Sequence, residues 1–150
     1  MSCSMTLHKS PYFDYWLSLP DGFEPSERLP LIVFLHGAGE CGPDTQRVRI
    51  HGIPKIIERE PWCDMRVITL SPQCQENRIW NTQIYELKKL IDEVAARCNA
   101  DADRISITGL SMGGYGTWMA AQTFPNFFSA AAPVCGGGIT WFAAVLKNMN

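Results

Sequence analysis

The sequence predicts an α/β fold: a mostly parallel sheet with helices on both faces, a single domain over residues 1–150. Two apolar runs carry the first part of this reading, Leu31-Ile32-Val33-Phe34-Leu35 and Val67-Ile68-Thr69-Leu70. Both are rich in β-branched residues and show no polar alternation, as strands buried on both faces do. From Leu31 onward such runs alternate with helical-period segments, in the order strand, helix, strand, helix, strand, helix, strand. That alternation implies parallel strands with crossover helices. Ligands in such sheets bind at the carboxyl ends of the strands. Residues 36–40, residues 71–81, Ser111 and residues 135–138 are therefore expected to share one edge.

Taken along the chain, residues 12–19 (Tyr-Phe-Asp-Tyr-Trp-Leu-Ser-Leu) read as an early strand closed by Pro20-Asp21-Gly22. The polar start, with His8, reads as a frayed terminus. Pro25 to Pro30 is a surface loop. The Leu31 run ends at His36-Gly37-Ala38-Gly39-Glu40, and a short helix is expected from Pro54 to Glu60. The strand of residues 66–70 stops at Ser71-Pro72. Apolar residues then recur at Ile84, Leu87, Leu90, Ile91, Val94 and Ala95, an amphipathic helix from Gln83 to Cys98 with Asn81 or Thr82 as its cap. Asp101 and Asp103 precede a strand at Ile105. Pro125 breaks the next helix, the segment from Phe128 to Val134 reads as another buried strand, and Ile139 to Lys147 as a final helix.

Composition narrows the function classes. Apolar residues make up 46% and charged residues 19%, which fits a globular domain rather than a disordered segment. A net charge of −2 without a basic cluster offers no footprint for nucleic acid or an anionic membrane. No apolar run reaches membrane-spanning length and no signal-peptide core is visible, so a cytoplasmic location is expected. Cysteines at 3, 41, 63, 74, 98 and 135 form no C-x-x-C pair and no zinc-ligand cluster. Free thiols are the expectation, with no metal and no cofactor. Cys41 and Cys74 fall near the carboxyl edge, where a reactive thiol is conceivable.

The most specific motif is Gly109-Leu110-Ser111-Met112-Gly113-Gly114. From this composition a G-x-S-x-G arises by chance in about one such chain in twenty, so context must discriminate. Ile105 and Ile107 alternate with Ser106 and Thr108 before the serine, as a strand requires. Tyr115, Trp118, Met119 and Gln122 follow it at helical spacing. Strand, turn and helix in that order form a nucleophile elbow, which exposes a serine hydroxyl at the head of a helix. A phosphate loop would need Lys where Tyr115 stands, and no G-x-G-x-x-G is present.

These residues resemble the α/β-hydrolase superfamily, closest to the branch of poly(hydroxyalkanoate) depolymerase-like and feruloyl-esterase-like proteins. The resemblance rests on residues 36–40, on Pro72-Gln73-Cys74 followed by Trp80, and on residues 109–114. It implies that Ser111 attacks an ester carbonyl. It also implies an oxyanion hole from the backbone N–H of Met112 and that of Ala38 or Gly39. His36 would organise its loop rather than act as base, and Glu40 and Trp80 are candidates to line a substrate pocket. The implied partner is a small-molecule ester.

The family's triad runs Ser, then Asp or Glu, then His. After Ser111 this sequence has no His, Asp or Glu, and its three histidines, His8, His36 and His51, all lie upstream. The expectation is therefore an incomplete α/β-hydrolase fold with its last strands and helices missing, and low activity for this chain alone. Two alternatives stand beside the esterase reading. One is a non-catalytic scaffold that self-associates or swaps domains through an open edge at Phe128 to Val134. The other is a serine peptidase or acyltransferase using the same serine.

Overall fold

A computed structural model describes residues 4–59, 65–147 and 149. Six strands form one mixed sheet: β1 (Ser4–Lys9), β2 (Asp14–Leu19), β3 (Leu31–Leu35), β4 (Ile68–Pro72), β5 (Ile105–Leu110) and β6 (Ala130–Val134), in spatial order β1-β2-β4-β3-β5-β6. β4, β3, β5 and β6 run parallel, β2 pairs antiparallel with β4, and β1 pairs antiparallel with β2. Among the described residues, three α-helices accompany them: α1 (Gly52–Arg59), α2 (Ile84–Arg97) and α3 (Met112–Thr123).

Strand alternation divides the sheet into two faces. Leu31, Val33, Leu35, Ile68, Leu70, Ile105 and Ile107 are all buried, and they form one cluster with Leu87, Leu90, Ile91 and Val94 of α2. The opposite face carries Phe34, Thr108 and Leu110, and there α1 packs with Gly52 against the Phe34 ring. Helices thus lie on both faces, as the alternation predicts, but the second face is the thinner. Ser106, Thr108 and Leu110 stay half-buried where their β5 neighbours Ile105 and Ile107 are closed off from solvent.

Four elements depart from expectation. His8 is not in a frayed end: β1 pairs residue for residue with β2, and the His8 ring stacks on Tyr15 at 5.4 Å. Neither Asn81 nor Thr82 caps α2. Both sit in a 3₁₀ turn (Trp80–Thr82), the Thr82 hydroxyl donates to Ile79 O at 2.9 Å, and Gln83 begins the helix without a side-chain bond. β6 begins at Ala130 and is half-exposed rather than buried, because it is an edge strand with β5 as its one partner. Residues 140–146 wind as an exposed 3₁₀ helix instead of an α-helix. The expected helix end at Glu60, Cys3 and Cys63 lie outside the described residues.

Candidate active site

Ser111 occupies a tight strand-to-helix turn. β5 ends at Leu110, α3 starts at Met112, and Ser111 between them has φ 54° and ψ −113°. A non-glycine residue there is strained by about 1–3 kcal/mol and must be held by its surroundings. Its N–H donates to Val134 O of β6 at 2.9 Å, and its carbonyl accepts the Tyr115 N–H at 3.0 Å. Both flanking glycines are required by contact. A Cβ on Gly113 would collide with the Leu35 carbonyl, and one on Gly109 with the Gly113 carbonyl. Helix α3 therefore sits closer to β3 and β5 than any side chain allows. The Thr117 hydroxyl caps this approach by donating to Gly113 O at 2.8 Å.

Serine at a helix start ordinarily folds its hydroxyl back onto the first-turn N–H groups. Ser111 does not: its side chain makes no capping bond and is exposed. The hydroxyl is left free, at the positive end of the α3 dipole. The Met112 N–H opens the helix and has no acceptor within it.

The loop after β3 passes beside this serine. A Cβ on Gly37 would lie 3.8 Å from Ser111 Cβ and 3.6 Å from Leu110 O. Ala38 and Gly39, next along, are exposed in the 3₁₀ turn Ala38–Glu40. Buried His36 fixes the loop. Its Nε2 accepts the Cys74 N–H at 2.8 Å, so the other ring nitrogen carries the proton and Nδ1 donates to Gly37 O at 2.7 Å. Both nitrogens are spent, and burial holds the imidazole pKa below its ordinary value. His36 is a neutral brace, not a base. His51 is half-exposed with Nε2 at 3.8 Å from Glu40 Oε1, and no hydrogen bond joins it to Ser111.

Two expected pocket residues, Trp80 and Glu40, are not in the lining of the described cavity beside the serine. Trp80 is wholly buried, its indole N–H donating to His36 O at 2.9 Å, with its ring edge-on to His36 and tilted against Phe13. It is a core residue that props the β3 loop. Glu40 is also buried, with Oε2 at 3.0 Å from where a Gly37 Cβ would stand; its carbonyl accepts from Gln73 Nε2. That cavity, of 370 Å³, is lined by Ile79, Asn81, Ser111, Met112 and Tyr115. It shares Asn81 and Tyr115 with a second hollow of 300 Å³ that continues past Met119 and Gln122 to residues 137–139. Sequence reasoning missed Ile79, Asn81 and Tyr115, although Tyr115 lies one helical turn from Ser111, on the same face.

With this geometry in view, the relatives are informative. The prolyl oligopeptidase family model matches residues 78–141, which include the serine turn. A poly(3-hydroxyalkanoate) depolymerase C from Paucimonas lemoignei is 39% identical over 51 residues, covering 34% of this chain and 12% of its own length. A thermostable esterase of known crystal structure superposes with a TM-score of 0.84 at 34% identity, over 99% of this chain and 44% of the esterase. A feruloyl esterase module from Clostridium thermocellum, solved with sinapinate, shares the fold at a TM-score of 0.65 and 15% identity, over 84% of this chain and 50% of that one. The chain thus spans less than half the length of the thermostable esterase, and its matched segment covers about an eighth of the depolymerase.

Proposed function

Because this chain belongs to the α/β-hydrolase superfamily, we propose that it supplies the nucleophile and the oxyanion pocket of a serine hydrolase acting on carboxylic esters. The single observation that carries this reading is Ser111 at φ 54° with an uncommitted, exposed hydroxyl. That is a strained and otherwise unexplained way to begin a helix.

In this mechanism the Ser111 Oγ attacks the ester carbonyl, and the developing oxyanion accepts from the backbone N–H groups of Met112 and Ala38, or Gly39 in place of Ala38. Each such donor contributes about 3 kcal/mol to the transition state. Collapse expels the alcohol and leaves an acyl-serine, which water then hydrolyses. Asn81, Ile79 and Tyr115 face the departing or acyl group in the adjoining cavity. The general base and its acid come from outside residues 1–150, since no His, Asp or Glu follows Ser111 and neither His36 nor His51 is bonded to it. Without them the oxyanion pocket and binding alone give about 10³–10⁴-fold over water.

The test is p-nitrophenyl acetate hydrolysis by the chain alone and by the chain joined to a segment carrying an Asp and a His. Slow turnover alone, a large gain on joining, and loss of both in Ser111→Ala are expected. Turnover that survives Ser111→Ala refutes the assignment. The prolyl oligopeptidase match favours a peptidase as second reading, tested by replacing the ester with a peptide anilide. A scaffold that associates through β6 is supported by its open edge and by the exposure of Val134, Trp141 and Phe142. It predicts a dimer in sedimentation together with no Ser111-dependent hydrolysis.

A further inference from the structure

We propose that Cys41 and Cys74 form a crosslinking site, two thiols that a small-molecule disulfide of the glutathione type converts into an intramolecular disulfide tying the β3 loop to the β4 loop. The two cysteines are far apart in sequence but side by side in the fold. The Gly42 N–H donates to Cys74 O at 3.2 Å, which brings the backbones of the two loops together at this point. Beside burial, the neighbouring Cys41 also holds the Cys74 thiol up. The same loops are laced on either side of the pair by the Cys74 N–H to His36 bond and by Gln73 reaching Glu40 O. A bridge here would join two loops whose backbones already touch.

The two thiols differ in a way that orders the reaction. Cys41 is half-buried and reachable, with its sulfur 4.0 Å from Arg78 O, whereas Cys74 is closed to solvent with its S–H directed to Gln83 Oε1 at 3.2 Å. Burial pushes the Cys41 thiol up and the Cys74 thiol up to about 12, so Cys41 ionises first and both react slowly at neutral pH. The Cys41 thiolate attacks one sulfur of the small disulfide and releases one glutathione thiolate. Cys74 loses its proton, attacks the Cys41 sulfur and expels the second glutathione. Two electrons and two protons pass from the protein dithiol to the small disulfide, which leaves as two thiols.

The bridge would fix the turn that holds Ala38 and Gly39 to the segment that places Ile79 and Asn81. Its effect on the serine site rests on the proposed function, but its formation does not.

The experiment incubates the full chain, and its Ser111→Ala variant, with oxidised glutathione, then blocks free thiols and digests with trypsin. In both proteins the fragment of residues 29–47 should appear joined to that of 67–78, two hydrogens lighter than the sum. Closing a loop of about 33 residues should raise the melting temperature by about 5–15 °C over the reduced protein. Cys41→Ser and Cys74→Ala should each abolish the linked fragment, and Cys41→Ser, at a half-buried site, keeps the fold. The proposal is overturned if Cys41 stops at the glutathione mixed disulfide, or if both fragments stay unlinked while exposed Cys135 is modified.

Discussion

Replacing Ser111 by glycine should make the protein more stable while removing the proposed nucleophile. The strain follows from φ 54° and ψ −113°, a region that costs an L-residue about 1–3 kcal/mol and glycine almost nothing. Glycine loses about 0.5–1 kcal/mol of that gain through the greater freedom of its unfolded chain. The remainder is about 1 kcal/mol, which for a chain of 150 residues raises the melting temperature by roughly 2–4 °C. Ser111→Ala is the matched control. It keeps the Cβ and the strain and deletes a hydroxyl that is exposed and makes no capping bond, so it should stay within about 0.5 kcal/mol of the parent. Thermal and urea denaturation of the three proteins, followed by circular dichroism, resolve the difference, with equal urea slopes showing that the native state is unchanged. A Ser111→Gly protein no more stable than Ser111→Ala would refute the strained turn. With it would fall the observation on which the proposed function rests.

Gly113→Ala should have the opposite outcome, because its methyl group meets the Leu35 carbonyl, part of rigid backbone. A loss of more than about 4 kcal/mol, seen as loss of soluble folded protein, is expected. Trp80→Phe removes the indole donor from His36 O within a closed core and should cost about 1–3 kcal/mol in urea denaturation. His36 gives a pH signature. Its folded pKa lies below its unfolded value, so as pH falls through about 6.5 the unfolded chain binds a proton that the native chain refuses. Its contribution is complete above that pH and declines below it by up to about 1.4 kcal/mol per unit until the folded pKa is reached. The urea midpoint should therefore fall from pH 7.5 to 5.5, and His36→Gln should remove that part of the slope.

What the sequence disclosed of the fold follows how local each determinant is. The buried parallel strands were legible because Leu31–Leu35 is apolar on both sides and Ile68–Leu70 breaks its apolar run only with the β-branched Thr69, as two-faced burial requires. β1 was not legible: Ser4–Lys9 has little apolar patterning and is held by pairing with β2, a fact about its neighbour. β6 was placed correctly at the edge, yet Ala130-Ala131-Ala132 reads as buried composition whether or not a second strand covers it. In the candidate site, Trp80 was the residue singled out, whereas Ile79 and Asn81 line the cavity. Trp80 is the conspicuous residue, and its size is what drives it into the core, turning Ile79 and Asn81 to the cavity.

The serine turn differs from all of these in being held entirely by its own neighbours, without the base and acid that the proposed function requires. Its supports are the Gly109 and Gly113 contacts with each other and with Leu35, the Val134 carbonyl and the Thr117 hydroxyl, and every one of them lies within β3, β5, α3 and β6. The Ala38 loop is likewise braced from within, by His36, Cys74 and Trp80. A base and acid arriving from elsewhere would therefore meet a nucleophile already in position, and the strain at Ser111 is offset by packing that does not depend on them. Electrostatic preorganisation requires that order, since donors that had to be assembled by the base would spend its binding on reorganisation. In the joined protein, turnover should then rise through the chemical step, whereas the stability difference between Ser111→Gly and Ser111→Ala should be the same with and without the added segment. A difference that appeared only in the joined protein would mean that the turn is shaped by its partners instead.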